Sequence, residues 1–371
     1  MLMKKLSDYA EVISGFAFDS NLFNDVKGMP LVRIRDIRRG YTETYTTEEY
    51  KDEYIVKKDD ILIGMDGEFN ISKWKSDDAL LNQRVCKVNP INTCNGDFIY
   101  YSLPFKLKEI ENSTSFATVK HISLKQILNI DIPDYSLEEQ NKIAMKLNLI
   151  NNMINNKKHQ LFKLDELIKS QFVEMFGTIK NNNKFAYITI GEVIDKNIIK
   201  IKKRFKNGDK IKYIDISSID SAKNVMSGYT DYKVGEEPSR AQQCLRYNDI
   251  VVSTVRPNLK NIAMNKYNDD NIIGTSGFCV LRSKGIRAEY LMYILLSDDF
   301  TNDMSSITTG ANYPAIHNED IYNYKIPNAP LELQNKFSEF VKQVDKQKFE
   351  FEKQLKKLEE LQASLMQEYF G

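Results

Sequence analysis

The sequence is short of the residues that mark most catalytic and metal sites. It has three histidines, His121, His159 and His317, too far apart to form a ligand set by spacing, and each is expected to be a surface or packing residue. Its four cysteines, Cys86, Cys94, Cys244 and Cys279, include no CxxC pair. That argues against a zinc ribbon or a disulfide framework and for reduced, buried thiols in a cytoplasmic protein. No apolar run approaches the roughly 18 residues of a membrane span, and the opening MLMKKLSDYA has no signal-peptide core. There is no Gly-Lys-Ser/Thr phosphate loop and no glycine-rich cofactor loop after a strand. A net charge of +1 excludes a polybasic coat, so any nucleic-acid surface has to be local or shared with a partner.

What the chain does have is an internal repeat. Residues 132–177 and 326–371 align without a gap, and 17 of the 46 pairs are identical. Composition alone would give roughly three. In each copy a proline (Pro133, Pro327) stands before the helical run, the heptad seam itself holds no Pro or Gly, and a glycine closes it (Gly177, Gly371). That is helix punctuation. Apolar residues step by four and three: Leu147, Ile150, Ile154, Leu161, Leu164 and Ile168 in the first copy, Val341, Val344, Phe351, Leu355, Leu358 and Leu365 in the second. This is a heptad seam about 48 Å long. Its polar interruptions do not coincide. Lys157 and Gln171 match Phe351 and Leu365, while Lys348 and Gln362 match Ile154 and Ile168. Two different seams can be kept if the helices pack on each other within one chain. An antiparallel pair, with a globular module at either end of a rod, satisfies the connection between them.

The segments before the helices share a weaker likeness. Leu6-Ser7-Asp8 matches Ile190-Gly191-Glu192, and Asp60-Ile61-Leu62-Ile63 matches Asp249-Ile250-Val251-Val252. The runs Leu31 to Ile37 and Tyr213 to Ile219 alternate like strands, which would put Arg33 and Arg35 on one strand face. Helices are expected from Phe98 to Ile110 and from Ala288 to Phe300. The expected fold is α+β: two globular domains, 1–131 and 178–325, separated by two long antiparallel coiled-coil helices, 132–177 and 326–371, in a pseudo-twofold internal repeat. The loops diverge where the strands agree, as in modules with different targets. Arg, Asn and Lys suit base edges and phosphates. The candidate DNA contacts are Arg33, Arg35, Arg38, Arg39, Asn70, Lys73 and Lys75 in the first module. In the second they are Lys202, Lys203, Arg204, Arg256, Asn258, Lys260 and Asn312. In the first module Asp66 and Glu68 share that loop, where they disfavour phosphate and could accept from a cytosine amine.

Taken together, the chain resembles the specificity subunit of type I restriction-modification systems over essentially its whole length. The residues that carry the likeness are Ile132-Pro133…Leu137-Glu138-Glu139-Gln140 and its duplicate Ile326-Pro327…Leu331-Glu332-Leu333-Gln334, with Leu81-Asn82-Gln83-Arg84-Val85, Asp249 to Asn258 and Gly310 to Ile316. The resemblance implies two target-recognition domains, each reading one half of a bipartite site in double-stranded DNA. It implies that the helices set the gap and dock two adenine-methyltransferase subunits, and that two ATP-driven restriction subunits complete the assembly. It also implies no catalytic site and no cofactor on this chain, with S-adenosylmethionine, ATP and Mg on the partners. A methyltransferase reading would need an Asn-Pro-Pro-aromatic loop, and Asn328-Ala329-Pro330 at a helix junction is the nearest approach. A coiled-coil adaptor for two proteins and a specificity subunit of a methylase-only system are the alternatives.

Overall fold

The computed structural model describes residues 2–113, 120–180, 182–309 and 314–371. The chain forms two compact units, Met1–His159 with Glu352–Gly371, and Gln160–Phe351. Each unit consists of one globular module, the first part of the long helix that follows it, and the last part of the other long helix.

In the first unit, Met3–Lys5 pairs antiparallel with Asp131–Pro133, tying the start of the module to the start of the helix. A four-stranded antiparallel sheet runs in the order Ala10–Ser14, Val85–Pro90, Ile61–Gly64, Ile71–Lys73. A second sheet of five short strands contains one parallel pair, Met29–Val32 with Ala79–Leu81. Trp74, Val32, Ile37 and Leu62 fill one core cluster, and Trp74 Nε1 donates to the Asp77 carbonyl at 2.8 Å. The larger cluster joins Leu6, Ile63 and Phe98 to Ile143, Leu147 and Phe370 of the long helices.

The second unit repeats this plan. Tyr187–Thr189 pairs with Lys325–Pro327. The four-stranded sheet runs Ile194–Asp195, Phe278–Ser283, Ile250–Ser253, Ile262–Met264. The mixed sheet again holds one parallel pair, Lys210–Ile214 with Ile272–Thr275. Tyr290, Phe172, Phe176 and Phe337 interlock at centroid distances of 4.5–5.7 Å. Burial pushes the Tyr290 phenol well above its ordinary value, and its hydroxyl donates to the Pro327 carbonyl at 2.7 Å. The buried Asp249 carboxylate takes both Arg282 Nε (2.9 Å) and Nη2 (2.7 Å), the bidentate geometry that makes a buried charge tolerable.

The α+β reading and the internal repeat hold. The long helices span Leu137–Phe176 and Leu331–Phe370, 40 residues each. A capping box starts the first: Ser136 Oγ and N both donate to Glu139, whose carboxyl is held low by those bonds. Gly177 ends it with φ +78, where a Cβ would be strained. The helices run antiparallel within each unit. In the first, Lys146 reaches Tyr369 and Lys158 reaches Glu359. In the second, Lys348 meets Asp165 at 2.5 Å and Phe172 meets Phe337. Every seam position predicted from the heptads is buried or half-buried.

Three local expectations are corrected. The run Tyr213 to Ile219 is not one strand: the strand Lys210–Ile214 ends within it, and Ile216–Ser218 is a short 3-10 helix whose cap, Asp215, accepts from the Ser218 N–H. Arg33 and Arg35 do not share a strand face. The strand stops at Val32, and Ile34–Arg39 is a helix with Arg33 as its cap. Asp36 accepts from the Arg33 N–H at 2.9 Å, so the backbone turns where the alternation seems to continue. The run from Ala288 to Phe300 is two helices, Ala288–Leu295 and Asp298–Ser306, because Ser297 caps a new one on the Phe300 N–H. All four cysteines are free and buried. Burial raises Cys86 and Cys279 to about 12, keeping them protonated and unreactive.

Candidate nucleic-acid interface

In the first unit the short helix Ile34–Arg39 carries four exposed arginines at or near its ends. Arg33 lies 6.0 Å over the Phe23 ring. Arg35 Nη2 donates to Thr44 Oγ1 at 2.9 Å, and Arg38 Nη2 pairs with Glu68 at 2.7 Å. The Lys75 side chain packs on Gly40, whose φ of +77 ends the helix, so Lys75 joins Arg38 and Arg39. Asn70 sits at the base of the neighbouring loop, and its carbonyl accepts from Gly64 N–H. Lys73 does not belong to this group. Its ammonium pairs with Asp97 at the start of the helix Gly96–Ser113 and lies 5.4 Å from the Tyr100 ring.

The acidic residues of that loop are already occupied. Asp66 meets Arg84 Nε at 3.2 Å and His121 Nδ1 at 2.6 Å, while Glu68 meets Arg38. The two carboxylates and their partners therefore make a mixed face of arginine, histidine and acid. Arg84 and His121 were not selected from sequence. The signal for Arg84 was present, since it lies at the exposed turn of Leu81-Asn82-Gln83-Arg84-Val85.

In the second unit the loop after Ile250–Ser253 is built to display side chains. Arg256 and Lys260 both take left-handed backbone conformations, φ +50 and +49, around the turn Pro257–Leu259. For residues with a Cβ such conformations are costly, and they gather at functional sites. The surroundings hold them. Arg256 N–H donates to the Pro314 carbonyl at 2.8 Å, Ser253 N–H to the Asn261 carbonyl at 3.0 Å, and Pro257 is buried. Arg256 and Asn258 are left exposed. Lys260 is engaged instead, by the exposed Asp298 (2.6 Å) and the Leu296 carbonyl (3.2 Å). That lysine holds Asp298 below the ordinary carboxylate range. The Lys260 role seen here is to anchor the loop.

The helix Ile201–Arg204 exposes Lys202 and Lys203, while Arg204 pairs with Asp270 at 3.0 Å. Just before it, the Ile199 carbonyl accepts from the Cys244 N–H at the end of the strand Ala241–Cys244. Arg240, just before that strand, takes Ser276 N–H on its carbonyl, and Gly277 in turn accepts from Thr254. Arg240 is thus tied to the Arg256 loop, another residue that no local pattern announced. Asn312 lies outside the described residues.

The profile described as "Type I restriction modification DNA specificity domain" matches residues 1–166 and again 179–362. The chain belongs to that family. The two matches fall on the two modules and the helix after each. Among known specificity subunits, that of the type I restriction enzyme EcoBI from Escherichia coli is 39% identical over 44% of this chain. The aligned part is 35% of that relative's own length, so the chain matches about a third of it. The MjaVIII specificity subunit of Methanocaldococcus jannaschii is 26% identical, covering 90% of this chain and 88% of the relative. The crystal structure of the type I system S subunit from M. genitalium covers 100% of this chain and 96% of its own, with TM-score 0.60 at 16% identity, a likeness of fold.

Outside the modules, the first long helix exposes an apolar stripe. Met145, Leu149 and Met153 recur every fourth residue on the first long helix, 67%, 61% and 46% exposed. At this spacing they share a face, opposite the seam. Among the described residues no cluster of three or more His, Cys, Asp or Glu could hold a metal ion. No helix there is long and apolar enough to cross a membrane.

Proposed function

We propose that this chain reads a bipartite site in double-stranded DNA, one module per half, with the two long helices setting the gap. The observation that carries the reading is the duplicate itself: one family profile matches twice, on two units of the same construction with different loops. In the first module the reading surface is Arg33, Arg35, Arg38, Arg39 and Lys75, with Asn70 at its edge and Arg84 and His121 beside it. In the second it is Lys202, Lys203, Arg256 and Asn258, with Arg240 adjacent. Asn312 stays a proposed contact. Lys73, Lys260 and Arg204 act from behind, fixing the segments that bear the others.

The chain works in a complex. Two adenine-methyltransferase subunits dock on the long helices, and two ATP-driven restriction subunits complete the assembly, in the cytoplasm. The exposed Met145, Leu149 and Met153 stripe supports such docking, because a free apolar stripe on a polar helix is what a partner would cover. S-adenosylmethionine, ATP and Mg belong to those partners, and this chain contributes recognition without chemistry. Near-zero net charge fits shared phosphate binding. Sequencing the methylome of a host with and without this gene tests the reading. The expected result is loss of one adenine-methylated motif made of two short halves and a fixed gap. No lost motif, or a contiguous one, would overturn it.

A further inference from the structure

At the start of each long helix, a Gln-Asn pair grips the residue that caps a helix of the neighbouring module. Gln140 Oε1 accepts from the Asn95 N–H at 3.0 Å, and its Nε2 donates to the Tyr135 carbonyl at 2.9 Å. Gln334 repeats both bonds, from the Arg287 N–H at 2.8 Å and to the Ala329 carbonyl at 2.8 Å. The two side chains are 1% and 2% exposed. The next residue adds a second point. Asn141 Oδ1 accepts from Asn95 Nδ2 at 2.7 Å, and Asn335 Oδ1 accepts from Arg287 Nε. The gripped residues differ, Asn in one module and Arg in the other, but the grip is the same.

The chemistry asks for Gln. An N–H just before a helix has no partner within that helix. Its acceptor must come from elsewhere, and the same side chain must also donate to a carbonyl of its own turn. Glu ionised offers no donor, and Leu or Met offers neither bond. Two bonds from adjacent residues to one cap residue fix direction as well as contact. They add a direction to a module that strand pairing and a shared apolar core already hold on its helix.

We propose that Gln140-Asn141 and Gln334-Asn335 are positioning residues that set the angle of each recognition module on its long helix, and thereby the gap between half-sites. This rests on the bipartite reading above. One base pair of gap moves a half-site by about 3.4 Å and turns it by roughly 35° around the duplex. A joint that yields by that much accepts the wrong gap, while the loops that read bases stay intact.

The test uses the complex assembled with its modification subunits and a duplex library carrying both half-sites at the native gap and at gaps one and two base pairs longer or shorter. Wild type methylates one gap. Gln140→Met with Asn141→Ala, and separately Gln334→Met with Asn335→Ala, raise methylation at the adjacent gaps relative to the native one. The expected rise is about tenfold, the factor one buried hydrogen bond carries, with half-site sequences unchanged. Asn141→Ala and Asn335→Ala alone, at exposed positions, keep the buried glutamines, so they fold even where a double variant does not, and they show a smaller relaxation. Cys86→Ala and Cys279→Ala are the controls, since they loosen a module's core away from the joint. The proposal is overturned if the joint variants keep a single gap, or if the cysteine controls relax it equally. A wild-type complex with no bipartite preference would instead sink the functional reading on which this rests.

Discussion

Arg256 shows what a single residue can do here and how little of it the sequence reveals. The sequence offered an Arg, a Pro and an Asn in a polar loop. The fold adds a left-handed backbone, a buried proline and a carbonyl from Pro314 that fix the backbone of an exposed arginine. Arg256→Gln is expected to lower discrimination at one base of one half-site by about 1–3 kcal/mol, leaving the other half unchanged. Binding measured against single-base variants of both half-sites checks this, and a uniform loss across all of them would assign Arg256 to phosphate contact instead. Lys73 and Lys260 looked equivalent to it by residue type. Their partners, Asp97 and Asp298, lie 24 and 38 residues away, and no local pattern reports such pairings.

The elements were easier to read, for a physical reason. A heptad seam repeats over many turns, so its signal accumulates, and every predicted position from Leu147 to Ile168 and from Val341 to Leu365 is covered in the structure. Short elements carry no such redundancy. Leu31 to Ile37 alternates for seven residues, yet one carboxylate, Asp36, is enough to stop the strand and start a helix. The Arg33 and Arg35 pairing was lost for that reason, although both side chains stay on the exposed basic group. The seam itself can be tested. Inserting one heptad into each long helix adds about 10.5 Å per helix. The gap read by the complex is expected to lengthen by about three base pairs, or recognition to be lost, as measured by methylation of a gap library. If the original gap were still read, the helices would not be the spacer.

At the scale of the molecule, the two units share a plan and differ in their loops, so recognition ought to be modular. Replacing residues 178–325 with the corresponding segment of another specificity subunit is expected to change one half of the methylated motif and leave the other half and the gap intact. Methylome sequencing reads this directly, and a change in both halves would count against independent modules. The division of the chain also sets an order of events. Phe370 is part of the core of the first unit, packed 5.4 Å from Phe98. During synthesis the first module emerges early, yet one wall of its core arrives only with the last turn of the second helix. Until then that apolar face stays open to solvent, so the first module to be made is the last to be sealed.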